Sequence, residues 1–173
     1  KPEDFGHIVS DTVERVTDGV REYFYNAIDA KMKFALTLNY KRLTSRNMKD
    51  FYHKFKIVYP LIIESWQSDN GSENLGEFDD ELKRDGIPHY FSYPRCPKIN
   101  TYIERYNRTI QEEFIDNNLD IIYDKPLFHQ RLVDYLIFYN TQRPHKSLEL
   151  KSPVDYLIEK GGMSQKSLTY TCN

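Results

Sequence analysis

Residues 60–73 read PLIIESWQSDNGSE, an apolar run that passes directly into a polar one. The apolar part predicts a strand over Leu61–Trp66, and its lack of alternation favours a central place in a sheet. The polar part holds Asn70-Gly71, a pair typical of tight turns. Asp69 is therefore either an ordinary turn residue or an aspartate presented to a metal ion at the end of a central strand. The choice depends on whether partner carboxylates occur at compatible positions.

The composition is typical of a single globular domain. The 173 residues suffice for one core, which we place in a domain at 1–160 followed by a tail at 161–173, and 39% hydrophobic content excludes general disorder. No apolar run approaches the roughly 20 residues that span a bilayer, so we expect no membrane association. The two cysteines, Cys96 and Cys172, suit neither a disulfide framework nor a cysteine zinc site, and we expect a cytoplasmic location. Because the chain starts at Lys1 without Met, we also expect a domain excised from a longer protein.

The charge is uneven along the chain. The net charge of -2 argues mildly against a nucleic-acid partner for the molecule as a whole. Residues 41–56, however, hold six basic residues and one acidic residue, and residues 83–108 hold six basic and two acidic. These segments are compatible with DNA binding, although solvated surface would account for them equally well.

Residue patterning predicts an α/β domain in which a five-stranded mixed sheet is flanked by helices. The strands are expected at about residues 7–13, 23–28, 34–40, 61–66 and 87–91, and the helices at about 45–59, 78–83, 100–114 and 126–140. The short links between the first three strands indicate an antiparallel meander. Pro88 favours an edge position for the fifth strand.

Three carboxylates stand on three different elements of this arrangement. Asp11 lies inside the first strand, Asp69 just after the fourth and Glu104 one turn into the long helix. If strands one and four are neighbours, the two aspartates meet at the sheet, and a helix packed on it could bring the glutamate to them. Hard divalent cations prefer oxygen ligands of this kind. Taken singly, Asp69 could be a turn residue and Glu104 a solvated helix residue, and Asp29, after the second strand, favours a turn or capping role.

Three stretches of the chain resemble the integrase core of bacterial insertion-sequence transposases and retroviral integrases. They are SDNGSE at 68–73, GIPHYFSYP at 86–94 and PKINTYIERYNRTIQEEF at 97–114. A later stretch, YNTQRPHKSL at 139–148, followed by Ser152-Pro153, is similar to the C-terminal signature of the bacterial branch. The resemblance extends over about residues 5–158, nearly the whole chain.

The resemblance implies an RNase H-like fold and a DDE triad formed by Asp11, Asp69 and Glu104, as catalytic residues and as metal ligands. The 34 residues between Asp69 and Glu104 fit the spacing of the family. The resemblance further implies binding of Mg²⁺ or Mn²⁺, with two ions when DNA is bound. It also implies cutting and joining of DNA ends by direct attack on phosphodiesters. Double-stranded DNA, as transposon ends and target, would be the partner. A homodimer or higher homo-oligomer and a bacterial, nucleoid-associated location would follow.

The long helix carries a polar stripe that the resemblance assigns to DNA. Asn100, Arg108 and Gln111 share the helical face of Glu104, and with Lys98 they are expected to contact DNA. The segment at 139–145 is instead expected to cap and anchor a helix, in preference to DNA contact.

Two other functions remain open from the residues. An RNase H-type nuclease would hydrolyse DNA without joining it, but the signatures at 97–114 and 139–153 weigh against it. A non-catalytic DNA-binding or assembly module derived from a transposase would be favoured by loss of a triad residue, and the triad is intact.

Overall fold

A mixed sheet of five strands forms the centre of the protein in the computed structural model. The structure describes residues 4–92 and 97–160; for residues 97–100 it describes the backbone but not the side chains. The strands are β1 (His7–Thr17), β2 (Val20–Asp29), β3 (Ala35–Tyr40), β4 (Ser65–Ser68) and β5 (His89–Phe91). Their order is β3-β2-β1-β4-β5. The first three pair antiparallel, whereas β4 pairs parallel with both β1 and β5. The predicted mixed sheet, its meander and its fifth strand at an edge are thus confirmed; the predicted tail at 161–173 lies outside the described residues.

Helices cover both faces of this sheet. They are α1 (Ser45–Val58), α2 (Glu77–Arg84), α3 (Pro97–Ile110), α4 (Lys125–Thr141) and α5 (Pro153–Glu159), and a π-helical turn, Gln111–Ile115, continues α3. Successive side chains of a strand point to opposite faces. In β2, Phe24 contacts Phe128 of α4 while its neighbour Tyr25 contacts Phe51 of α1, so α1 and α4 lie on opposite faces. In the described ranges, no helix is both long and apolar enough to cross a membrane.

The fourth strand differs from its prediction. The apolar run predicts Leu61–Trp66, but β4 spans Ser65–Ser68. The parallel ladder begins at the pair His7 and Ser65, because β1 itself starts there. The preceding residues pass close to Gly6, which has a positive φ of 91° and where a Cβ would lie 2.7 Å from the Ile62 carbonyl oxygen, and the regular pairing begins after it. The strand therefore ends directly before Asp69.

Other boundaries also shift for local reasons. The turn Asp18-Gly19 has positive φ at both residues (48° and 77°), the type I′ geometry that continues strand pairing up to Thr17 and Val20. The first two strands are accordingly longer than predicted. The long helix begins earlier than predicted, at Pro97, and α5, which the sequence prediction lacks, starts behind a Ser152 cap.

The segment at 139–145 has the anchoring role expected for it. The buried Asn140 side chain bonds both backbone groups of Ala35, accepting from its N–H (2.9 Å) and donating to its carbonyl (2.8 Å), which fastens α4 to β3. Arg143 forms a bidentate ion pair with Glu113, at 2.9 Å for Nε–Oε2 and 2.5 Å for Nη2–Oε1. The end of α4 is thereby tied to the π-helical turn after α3.

Candidate active site

The parallel pairing of the two central strands places two of the three candidate carboxylates side by side. The register pairs His7 with Ser65 and Val9 with Gln67. Continued by two residues, it sets Asp11 alongside Asp69. Asp11 still belongs to β1, whereas Asp69 follows the last residue of β4. The neighbouring strands that the triad requires are therefore present.

Asp69 is a turn residue whose side chain is exposed to solvent. Its Oδ1 accepts hydrogen bonds from the Gly71 N–H (3.0 Å) and from the side-chain amide of the buried Asn74 (2.7 Å). These bonds form the turn that Asn70-Gly71 predicts. The carboxylate is exposed at the end of a central strand all the same, so turn formation and presentation of the side chain are compatible.

Asp11 is half-buried, and the negative charges of both other candidate carboxylates act on it. Its oxygens accept from the Thr12 N–H (2.9 Å) and from Asn107 Nδ2 (2.6 Å). Burial raises the pKa of Asp11, and the negative charges of Asp69 and Glu104 raise it further, while the two hydrogen bonds oppose this shift. The three candidate carboxylates thus interact electrostatically across β1, β4 and α3.

Glu104 stands exposed on α3 and lines an open groove of about 450 Å³. Asn107 lines the same groove. So do Arg108 and Gln111, the two residues of the predicted polar stripe whose side chains are described, and they therefore lie on the same side of α3 as Glu104. Lys98 and Asn100 belong to the first turn of α3, but their side chains lie outside the described residues.

A chain of buried hydrogen bonds, which we call the amide relay, ends at Asp11. Asn107 Oδ1 accepts from Asn26 Nδ2 (2.8 Å), and Asn26 Oδ1 accepts from the Thr37 hydroxyl (2.6 Å). Thr37 lies 2.7 Å from the Tyr106 hydroxyl, and burial raises the pKa of Tyr106, which keeps that phenol protonated. Because Thr37 has a single hydrogen and donates it to Asn26, Tyr106 must donate to Thr37. The relay therefore has one direction and turns the Asn107 amide group toward Asp11.

Sequence reasoning assigned no role to Glu73, which is a fourth carboxylate at this place. It is buried in the turn after Asp69, and a Cβ on Gly71 would lie 2.5 Å from its Oε2. Burial raises the pKa of Glu73, and the charges of Asp69 and Asp11 add to this. The signal in the sequence was a carboxylate within one turn of Asp69, but its burial depends on the chain folding back over Gly71.

The donor set suits a hard divalent cation by chemistry. All candidate ligands are carboxylate oxygens, which Mg²⁺ and Mn²⁺ prefer. In residues 4–92 and 97–160, no three side chains of the Asp, Glu, His or Cys types are close enough to form a ready-made metal cage. Carboxylates repel one another until a cation neutralises them, and Glu104 is exposed to solvent.

Known proteins support the family suggested by the motifs. Residues 85–153 match the family model of the integrase core domain. The chain aligns over 152 residues, at 30% identity, with the ORF3 protein of Spiroplasma virus SpV1-C74, whose name calls it a candidate integrase. That alignment covers 78% of this chain and 41% of the relative, so the chain spans about two fifths of the relative's length.

Solved structures share the fold. The HTLV-2 integrase catalytic core domain, in its trimeric form with magnesium, superposes with a TM-score of 0.69 at 15% identity, covering 87% of this chain and 94% of that one. The BIV integrase catalytic core gives 0.69 at 15% identity, with coverage of 92% and 99%. A chain of a simian T-cell lymphotropic virus intasome, in complex with the PP2A regulatory subunit B56 gamma, gives 0.70 at 16%, with coverage of 87% and 53%. The five-stranded sheet with its helices is the RNase H-like fold of these cores, and residues 85–153 match the integrase core domain.

Proposed function

We propose that this chain is the catalytic core of a DDE transposase or integrase, which cuts DNA and joins its ends in a metal-dependent reaction. The observation that supports this most directly is the parallel pairing of β1 with β4, which brings Asp11 beside Asp69. The influence of Glu104 on the pKa of Asp11 is the second support, because it requires α3 to lie near the same point.

In this proposal Asp11, Asp69 and Glu104 hold Mg²⁺ or Mn²⁺. The bound ions would activate the attacking oxygen and stabilise the leaving one. Thr12 and Asn107 orient the carboxylate of Asp11 through their hydrogen bonds. The position of Asp69 is set by the turn that follows it.

The DNA is proposed to lie in the groove beside Glu104. Arg108 and Gln111 line that groove, and together with Lys98 and Asn100 we expect them to contact phosphates and sugars, which position a duplex without reading its sequence. The substrates would be transposon ends and target DNA inside a bacterial cell, as the stretch at 139–148 suggests. A homodimer or higher homo-oligomer is proposed because related core structures occur in dimeric and trimeric forms.

A DNA-joining assay tests this function. Labelled duplex is incubated with supercoiled plasmid and Mn²⁺, and covalent transfer of the label into the plasmid is measured on denaturing gels. We expect metal-dependent transfer that EDTA stops, with no covalent protein–DNA species. Nicking without transfer would instead identify a nuclease, and neither product, with DNA binding retained, would identify a non-catalytic module.

Loss of the Thr37 hydroxyl is expected to slow joining about 10-fold, as is typical when groups that orient metal ligands are removed. Thr37→Val leaves Asn26 Oδ1 without its donor, so the Asn107 amide is no longer held toward Asp11. The affinity for Mn²⁺, measured by calorimetry, should fall with the joining rate, and Thr37→Ser should restore both.

The control for Thr37→Val is Tyr59→Phe. It also removes a buried hydroxyl that donates a short hydrogen bond, here to Asp29 at 2.6 Å. Both variants should lose similar thermal stability, but only Thr37→Val should weaken metal binding. Equal Mn²⁺ affinity in the two variants would contradict a positioning role for the relay.

A further inference from the structure

A second cavity, which we call the basic pocket, lies between α3 and the segment that follows α4. Its volume is about 220 Å³, and its wall on the α3 side includes Tyr102, Arg105 and Thr109. Lys146 and Ser147 close the opposite side. Among the described residues that line the basic pocket, four are Lys or Arg and none is acidic. The protein has a net charge of -2, so this local excess of positive charge is opposite in sign to the charge of the molecule as a whole.

The four cations of the basic pocket are not equivalent. Arg143 is held by Glu113 in the bidentate pair, and the Lys33 ammonium lies 3.7 Å from the centre of the Tyr102 ring. Arg105 and Lys146 are exposed, and within the described part of the chain neither forms an ion pair. These two are therefore the cations that are available to a ligand.

The remaining polar groups of the basic pocket favour an anion. Burial lowers the pKa of His145 to about 4, so this side chain is neutral at physiological pH and adds no charge of its own. The Ser147 hydroxyl can donate a hydrogen bond beside Lys146, whereas the Thr109 hydroxyl donates to the Arg105 carbonyl oxygen (3.0 Å). A guanidinium, an ammonium and a hydroxyl around a small cavity match the oxygens of a phosphate group, whereas 220 Å³ is too small for a folded protein element.

The basic pocket and the groove lie on adjacent faces of the same helix. Glu104 and Arg108 line the groove, and Arg105 and Thr109, each the next residue, line the basic pocket. Consecutive residues are about 100° apart around a helix whose diameter with side chains is about 10–12 Å. Two points 100° apart on that circumference are about 8–9 Å apart, which corresponds to roughly two to three nucleotides at an axial rise of about 3.4 Å per nucleotide of one strand.

We propose that the basic pocket binds backbone phosphates of DNA that crosses α3 from the groove, with Arg105 and Lys146 as the contacts. This inference rests on the proposed function for the identity of the DNA, but not for the presence of an anion site. It adds a contact roughly two to three nucleotides away from the reacting phosphodiester. It also gives the segment at 139–148 a DNA-binding role besides its anchoring role. Contacts of this kind increase affinity for all sequences alike.

The test measures DNA binding by fluorescence anisotropy in EDTA, where no chemistry occurs. The salt concentration is varied between about 50 and 200 mM, because affinity that comes from phosphate contacts falls steeply over that range. Arg105→Gln/Lys146→Gln is compared with the charge-matched Arg21→Gln/Lys83→Gln, whose side chains are 66% and 68% exposed on β2 and α2. We expect the first pair to reduce the slope of log K against log salt by about 2, at about 0.9 for each phosphate contact, and to weaken binding at least ~10-fold.

Three outcomes would overturn the proposal. The first is an equal slope for the two double variants, and the second is a wild-type protein whose DNA binding does not depend on salt. The third is displacement of DNA by inorganic phosphate at constant ionic strength, because the basic pocket would then be a site for free phosphate. Circular dichroism checks that both variants are folded. Because the assay contains EDTA and measures binding alone, a failure of the proposed chemistry stays distinguishable from a failure of the basic pocket.

Discussion

Asp69→Asn is expected to leave the fold intact and to reduce DNA joining at least ~1,000-fold. The substitution removes one negative charge and one anionic oxygen from the proposed metal ligands. Charge stabilisation by a catalytic metal contributes several kcal/mol, and each 1.36 kcal/mol is about tenfold in rate, so a loss of about 4 kcal/mol gives this factor. The joining rate at saturating Mn²⁺ is the measurement.

Stability should respond little to Asp69→Asn. The side chain is exposed, and an asparagine oxygen can still accept from Gly71 and Asn74 as Oδ1 does now. We expect the free energy of unfolding to stay within about 0.5 kcal/mol. Asp120→Asn, an exposed aspartate on the turn Leu119–Ile121, is the charge-matched control and should join DNA like the wild-type protein. Normal joining by Asp69→Asn would exclude the proposed triad.

Asp29→Asn is expected to have the opposite effect, with a loss of about 3–5 kcal/mol in the free energy of unfolding. Asp29 is fully buried, and four donors converge on it. Oδ2 accepts from the Gly6 N–H (2.8 Å) and Tyr59 (2.6 Å), and Oδ1 accepts from the N–H groups of Lys31 (2.7 Å) and Met32 (2.8 Å). The substitution replaces one of the two carboxylate oxygens with an amide nitrogen. Two of the four donors would then face another donor, whichever oxygen is replaced. Hydrogen bonds to a charged group contribute about 1.5–3 kcal/mol each.

Urea denaturation measures this loss, with Asp18→Asn as the control. Asp18 is an exposed aspartate of the turn between β1 and β2, at a positive φ that asparagine adopts readily, so we expect a change within about 0.5 kcal/mol. If Asp29→Asn kept full stability and lost joining activity, Asp29 would have to be a functional carboxylate. The structural role that its turn position favoured would then be wrong.

Asp69 and Asp29 show what residue patterns in a sequence can and cannot distinguish. In the sequence both follow a predicted strand, and only the motif around Asp69 distinguished them. The hydrogen bonds explain the difference, because Asp29 is enclosed by four donors while Asp69 is exposed beside Asp11. The Lys31 and Met32 donors belong to the local turn that the sequence predicts. The burial of Asp29 and its donors from Gly6 and Tyr59 cannot be read from one strand, since those two residues are distant along the chain.

Periodicity, turn residues and short motifs are local properties, so they sufficed to predict the order of the strands and of the first four helices, the mixed sheet and the three carboxylates. Contacts between distant segments set where β4 begins, bury Glu73 beside Asp69 and complete the amide relay from Tyr106 to Asp11. They also bring Arg105 and Lys146, 41 residues apart, to one pocket. The physical reason is that strand register, burial and hydrogen-bond partners depend on which distant segments pack together.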